Sequence, residues 1–253
     1  MRKRLFLNLI SVFIVALTAA AALVLQTSAA AVDYGLDVGG KRVTNDRLSG
    51  EGWKFEPDTN TLTLNGFISD VADKATFMKY DPKTKVYYYA FIRVENSMNL
   101  NIKLEGKEST IGDPYISGHA AERIGNTDSY NTFYGIYNPN GNVTITGSAR
   151  LKVYTNLRGI SASKLTMDGC TGTIMMGAYT NCIDVQRLIV KGGTRITASC
   201  GYGGAMKLMY NTPIHASKSI DIYDTSEVYS EIERDSNTDD YGISGIYCLS
   251  LIH

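Results

Sequence analysis

A segment that repeats every 22 or 23 residues constrains the fold of this chain more than any other sequence feature. The motif Tyr134-Gly135-Ile136 returns in related form as Arg158-Gly159-Ile160, Asn181-Cys182-Ile183 and Tyr241-Gly242-Ile243. An alternating run follows each of the first three motifs, and these runs and a fourth close on Gly147, Gly169, Gly192 and Asp224. A further short run begins four residues after each closing residue, at Leu151, Thr173, Ile196 and Val228. Such a fixed period is typical of a solenoid, in which each unit buries its apolar face against its neighbours.

Alternation within these runs predicts β-strands, because successive side chains of a strand point to opposite faces. Three short strands and three turns per period predict an all-β fold, a parallel β-helix. We expect it to be right-handed, because parallel crossovers are right-handed in nearly all cases. Hairpins of an antiparallel β-sandwich are the alternative, and they would explain each closing glycine singly but not the recurring strand before it.

Residues 1–30 have the pattern of a secretory signal peptide. Three basic residues at positions 2–4 precede a mostly apolar run from Leu5 to Leu25, and small residues at 28–30 suit cleavage before Ala31. The alternative is an uncleaved membrane anchor, since the run is near the length that spans a bilayer. We therefore predict a secreted or cell-surface protein that meets the membrane only through this signal.

The mature chain is predicted to contain an N-terminal β cap, residues 31–66, and a parallel β-helix, residues 67–253. The cap should bury Trp53, the only tryptophan. A solenoid needs such a segment to cover the apolar face of its first coil. A new unit opens at Tyr241 shortly before the end at His253, which predicts that the sequence is truncated and that further coils or an attachment module follow.

The charge of the chain and the spacing of its possible metal ligands argue against nucleic acid, a metal ion or a cofactor as a partner. Removing residues 1–30 takes away three of the 25 basic residues and none of the 25 acidic ones, so the mature net charge is −3. No basic patch is visible, so we expect no nucleic-acid partner. The three histidines are scattered and no Cys-x-x-Cys pair occurs, so we predict no metal site and no cofactor. We expect a monomer.

The four cysteines, Cys170, Cys182, Cys200 and Cys248, would permit disulfides in an exported chain. The repeat register places Cys182 over Gly159 and Cys200 over Gly177 in the preceding unit. Since neither cysteine faces another in the neighbouring unit, we predict free, half-buried thiols.

The N-terminal sequence resembles the leader of a family of exported bacterial β-helix proteins often labelled as carbohydrate-binding. The matching segments are DYGLDVGG at 33–40, VT at 43–44, GEGW at 50–53 and PDTNTLTLNG at 57–66. The resemblance is close over 33–66 and extends to the repeats only in pattern. It implies export and a β-helix fold, and it carries no catalytic residues.

The segment from Thr76 to Tyr89 departs from that family pattern and predicts a β-hairpin projecting from the first coil, with its turn at 81–84. Tyr80, Tyr87 and Tyr88 lie on this hairpin, and exposed aromatic rings can stack on sugar rings. They are our predicted carbohydrate-binding residues. The alternative is that these tyrosines simply pack on the flank of the solenoid.

Three functions are compatible with these features, because solenoids serve all of them. The favoured one is a non-catalytic β-helix that binds glycans or surface proteins. A polysaccharide lyase or glycoside hydrolase would need paired carboxylates on neighbouring coils. Asp184 and Asp221 lie on successive units but at different coil positions, so we predict no catalytic residues. The third function is a structural stalk for another module.

Overall fold

The computed structural model describes residues 31–69, 72–113, 122–123, 130–178, 180–201, 212–233, 246–248 and 251–252. The predicted signal peptide and the motif at 241–243 lie outside these residues. All the described strands belong to one compact unit, Asp33–His253.

The described strands, in chain order, are β1 Asp33–Val38, β2 Lys41–Thr44, β3 Ser49–Gly50, β4 Trp53–Glu56, β5 Thr61–Leu64, β6 Ile68–Ser69, β7 Thr76–Asp81, β8 Val86–Val94, β9 Leu100–Leu104, β10 Ser109–Gly112, β11 Glu122–Arg123, β12 Tyr130–Gly147, β13 Leu151–Thr155, β14 Arg158–Asp168, β15 Ile174–Ala178, β16 Asn181–Lys191, β17 Arg195–Gly201, β18 Ile214–Ile222, β19 Glu227–Glu233, β20 Ile246–Cys248 and β21 Leu251–Ile252. Two short 3-10 helices, Pro57–Thr59 and Ala72–Lys74, are the only helices among the described residues. The prediction of an all-β protein is therefore confirmed.

The described strands form two sheets. The larger has 15 strands and contains β12, β14, β16 and β18 side by side. The smaller has six strands in the order β19-β17-β15-β13-β10-β6. The larger sheet is mixed, because its repeat strands pair in parallel while β1, β2, β3, β4 and β7 make antiparallel pairs.

The first three repeat motifs align in the structure as predicted, and Ile214, which no motif identified, continues their row. Ile136, Ile160, Ile183 and Ile214 occupy one register position of the larger sheet, and every pair among these strands is parallel. The smaller sheet aligns Leu151, Ile174, Ile196 and Val228, also in parallel. We predicted that one short run starts at Thr173. The structure shows that Ile174, one residue later, occupies the position of Leu151. Parallel pairing between repeats excludes the antiparallel hairpin alternative.

Each repeat contributes two strands where we predicted three. The first two predicted runs are continuous in β12, β14 and β16, which all belong to the larger sheet. The junction between the runs keeps extended backbone and interrupts the pairing only by register shifts, as between Asn138 and Asn142. The corner at the closing glycine does break the strand, because Gly147, Gly169 and Gly192 have positive φ.

The N-terminal segment is built from antiparallel strands. β1 pairs with β2, and β3, β4 and β5 form a small meander. Trp53 on β4 is buried, as predicted. β5 then pairs in parallel with β9, placing Leu62 beside Ile102. Through this pair the segment continues directly into the larger sheet.

The predicted hairpin is present. β7 and β8 pair antiparallel, with Asp81 opposite Val86 at the turn end. β8 is also a strand of the larger sheet, since it pairs in parallel with β12 and antiparallel with β1. The hairpin is therefore anchored along one whole side.

A continuous buried cluster runs from Leu36 to Ile220 and draws on both sheets, with Leu165 from the larger and Val153 from the smaller. Cys170, Cys182 and Cys200 are unbridged in this structure, and they are buried where half-buried residues were predicted. Cys200 lies opposite Ala178 and not Gly177, which corrects the predicted register by one residue.

Candidate functional site

A groove of about 600 Å³ lies beside β7, β8, β12 and β14, and three tyrosines line it: Tyr88, Tyr134 and Tyr137. The ring centroids of Tyr88 and Tyr134 are 6.5 Å apart, and those of Tyr134 and Tyr137 are 4.8 Å apart in an edge-on arrangement. Concave sites with aromatic walls and a few polar groups are where small ligands usually bind. The groove is therefore the candidate site.

The pairing of β8 with β12 brings these rings together. Their register sets Tyr134 opposite Ala90 and Tyr137 opposite Arg93, while Tyr88 faces Thr132 two residues earlier. Gly135 and Ile136 lie between Tyr134 and Tyr137 on β12. A Cβ at Gly135 would overlap the Gly159 carbonyl oxygen and the Val153 side chain, so only glycine allows the strands to approach here.

Burial raises the pKa of Tyr134 to about 12, with the positive charge of Arg158 acting in the opposite direction. The phenol therefore remains protonated at neutral pH. A neutral phenol offers both a donor and an acceptor to a ligand in the groove.

The two arginines of the groove are paired with carboxylates. Arg93 contacts Glu95 and lies 3.8 Å from Asp37, and it also donates to the Phe77 carbonyl oxygen on β7. Arg158 Nη1 lies 2.7 Å from Asp184 Oδ2. The charges of these two arginines are therefore largely compensated, while their remaining N–H groups are hydrogen-bond donors. Lys79 and Asp81, which carry opposite charges, also line the groove.

Asp184 is held between two partners. Its Oδ2 contacts Arg158, and its Oδ1 lies 2.7 Å from His215 Nδ1 on the next repeat strand. Ser161, Asp184 and His215 share one register position, so the carboxylate stands between the serine and the histidine. A Ser-His-Asp nucleophile needs the histidine in the middle, so this row does not form a catalytic triad.

Asp221, the second carboxylate that sequence reasoning considered, does not join Asp184. It pairs in register with Ile189, while Asp184 pairs with His215 on the earlier half of the same strand, β18. Asp221 is buried, and its Oδ2 accepts a hydrogen bond from the Ser219 hydroxyl at 3.4 Å. The structure therefore keeps these two carboxylates at separate positions of the sheet.

The structure separates the three predicted tyrosines. The rings of Tyr80 and Tyr87 are tilted by 34° with their centroids 4.4 Å apart, and the Phe77 ring lies 5.5 Å from that of Tyr87. Tyr88 instead lines the groove and contacts Tyr134. Adjacent residues of a strand point to opposite faces, so Tyr87 and Tyr88 belong to different surfaces.

Sequence reasoning missed Tyr134, Tyr137 and Arg158 as site residues. A signal was present, because Tyr134 and Arg158 open successive repeat motifs and therefore had to lie side by side. These motifs indicated only the register of the repeats. The motifs do not indicate that the hairpin strand β8 pairs with β12.

One wall of the groove is tied to the N-terminal segment by Arg42. Its guanidinium lies 2.7 Å from Asp33, 3.1 Å from Asp37 and 2.6 Å from Glu95. Burial raises the pKa of Asp37, although both nearby arginines oppose that shift. The Arg42 hydrogen bond lowers the pKa of Asp33. A buried carboxylate therefore depends on Arg42 for compensation.

We expect Arg42→Met to lower the free energy of unfolding by about 2 kcal/mol, because it removes one of the two positive charges beside the buried Asp37 carboxylate. Lys54→Met is the matched control. It breaks the exposed pair with Glu56, whose side chain is 50% accessible, and should cost less than about 0.5 kcal/mol. Urea unfolding followed by circular dichroism measures both, and equal losses would show that Asp37 does not need Arg42.

Among the described residues, no cluster of three or more His, Cys, Asp and Glu side chains is placed to hold a metal ion. Within the same part of the chain, no helix has the length and apolar character needed to cross a bilayer. Comparisons with protein-family models, curated proteins and solved structures gave no match for this chain.

Proposed function

We propose that the protein is a non-catalytic, right-handed parallel β-helix, exported from the cell, that binds uncharged carbohydrate in the groove of Tyr88, Tyr134 and Tyr137. The observation that carries the binding proposal is the combination of three tyrosine rings with two arginines whose charges are already paired. The signal-like sequence at 1–30 supports export to the medium or the cell surface.

The parallel pairing of successive repeats in both sheets supports the β-helix. Each repeat supplies one strand to the larger sheet and one to the smaller, and the next repeat pairs with both in register. A chain that alternates between two sheets while advancing one strand per repeat follows a helical path. A right-handed path is the hand of nearly all parallel crossovers.

Sugar rings combine apolar C–H faces with hydroxyl groups at their edges. Tyrosine rings offer a flat apolar surface for the faces and a phenolic hydroxyl for the edges. Arg93 and Arg158 point donors at the same groove, and Glu95 adds acceptors. The groove therefore supplies both kinds of contact that a saccharide needs.

The pairing of both arginines favours an uncharged ligand, and the third cation of the groove, Lys79, is accompanied there by Asp81. An acidic polysaccharide gains most from arginines that are free to form charge-assisted hydrogen bonds. Here Glu95 and Asp184 occupy Arg93 and Arg158. A neutral oligosaccharide can still accept from the guanidinium groups without replacing either carboxylate.

Isothermal titration calorimetry on the full chain tests this proposal, with neutral hexose and pentose oligosaccharides in one series and uronate-containing ones in the other. We expect saturable one-site binding by a neutral ligand, with no release of reducing ends or unsaturated uronates. Turnover of any of these ligands would instead favour a lyase or hydrolase. Absence of heat from every saccharide would favour a structural stalk.

Asp184→Asn should change the ligand preference. The substitution leaves the Arg158 charge unpaired, so a charge-assisted bond to a uronate becomes available and affinity for the acidic series should rise about tenfold. Asp168→Asn is the matched control, because Asp168 pairs with Lys191 at 2.9 Å and neither residue lines the groove. An equal gain in both variants would mean that net charge, and not Arg158, governs binding.

A further inference from the structure

We propose that Cys182 and Cys200 form a disulfide when the chain folds in an oxidising compartment, joining the larger sheet to the smaller one. The setting is the export proposed from residues 1–30, while the pairing itself rests on the positions of the two sulfur atoms. Carbohydrate binding has no part in the inference.

The two sulfur atoms are 4.0 Å apart, and both residues are completely buried. A disulfide bond is about 2.05 Å long, so closing it moves each sulfur by only about 1 Å. Cys182 lies near the start of β16 and Cys200 near the end of β17. Stacking of successive repeats could not predict this pair, because the two residues come from different sheets within one repeat.

The reduced thiols have only weak partners to lose. Cys182 Sγ donates to the Ser199 carbonyl oxygen at 3.1 Å, and Cys200 Sγ donates to the Thr180 carbonyl oxygen at 3.0 Å. A thiol is a poor hydrogen-bond donor. Cys170 is also buried, but its sulfur donates to the Ile145 carbonyl oxygen and has no such neighbour among the described sulfur atoms.

The reaction is thiol–disulfide exchange with an exported protein disulfide or a small-molecule disulfide as the oxidant. One cysteine thiolate attacks a sulfur of the oxidant, which forms a mixed disulfide and releases one thiol. The second cysteine thiolate attacks that mixed disulfide and releases the second thiol. Two cysteine thiols thus lose two electrons and two protons, and the oxidant disulfide is reduced to two thiols.

The exchange takes place before β17 packs against the core. Burial raises the pKa of the Cys182 thiol, so the attacking thiolate is disfavoured once the chain is folded. The same burial then protects the finished bond from reductants. We therefore expect that the disulfide forms during folding and resists reduction until the protein unfolds.

The test is a peptide map of the full chain after refolding in an oxidised glutathione buffer. Tryptic cleavage leaves Cys170 and Cys182 in one peptide, since no lysine or arginine lies between them. The map is therefore made on the Cys170→Ser variant. We expect a linked peptide that contains Cys182 and Cys200, that disappears after reduction, and that is absent from the Cys170→Ser, Cys182→Ser double variant.

Thermal unfolding gives the second readout. Reduction under denaturing conditions should lower the Tm of the refolded Cys170→Ser chain by about 8 °C, because the bond constrains the unfolded state. The Cys182→Ala, Cys200→Ala variant should show no change with reductant. Complete alkylation of both cysteines after oxidative refolding, or a link from either to Cys248, would overturn the inference.

Discussion

Replacing Gly192 with alanine should lower the free energy of unfolding by about 3 kcal/mol, whereas the same change at Gly169 should cost about 1 kcal/mol. Both glycines occupy the same corner of successive repeats, with φ of +67° and +63°. The cost of placing an L-residue in the left-handed region is therefore common to both. Asp224 holds the corresponding position in the following repeat at φ 58°, so the corner accepts a side chain.

The difference comes from the neighbouring strand. A Cβ at Gly192 would lie 2.5 Å from the Gly169 backbone nitrogen and 2.9 Å from Asp168 Oδ1, whereas a Cβ at Gly169 would meet nothing within 4 Å. That nitrogen donates to the Lys191 carbonyl oxygen, so the added methyl pushes apart a hydrogen bond between repeats.

Urea unfolding of the two variants beside the wild type measures the difference between these glycines. Gly192 is exposed and Gly169 is partly buried, so a ranking by burial alone would predict the opposite order. Equal losses at the two positions would mean that the strands separate slightly at no cost, and a larger loss at Gly169 would contradict the steric argument.

Removing two groove rings together, in Tyr88→Ala with Tyr137→Ala, should raise the Kd for the neutral oligosaccharide about 100-fold. Each ring should contribute about tenfold through stacking and exclusion of water. Tyr134 is left unchanged, because it is only 8% accessible and its loss would disturb packing as well as binding.

The matched control is Tyr80→Ala with Tyr87→Ala, which removes two rings of the same hairpin from its other face. We expect the control to change the Kd by less than about threefold. Weaker binding in the control alone would place the sugar on the Tyr80 and Tyr87 face. Unchanged binding in both double variants would exclude the hairpin altogether as the ligand site.

The candidate site was only partly predictable. The richness in tyrosine of the segment around Tyr87 drew attention to the hairpin whose strand β8 borders the groove, and strand alternation indicates that Tyr87 and Tyr88 cannot share a face. Which of the two faces borders a groove depends on β12 and β14, which follow more than 40 residues later in the chain. These pairings between strands distant in the chain assemble the groove, and the sequence of the hairpin alone does not indicate them.

The sequence by itself determined the all-β class and the register of the repeats, since Tyr134, Arg158 and Asn181 align as their motifs predicted. Hydrogen bonding between parallel strands brings equivalent positions of successive repeats side by side. The period of the sequence therefore predicts which residues of successive repeats are aligned. Only the tertiary structure decided that each repeat has two strands, that Cys182 meets Cys200, and that Tyr88 meets Tyr134. Those contacts depend on how corners turn and how separate elements pack, and the energies that fix them come from residues distant in the chain.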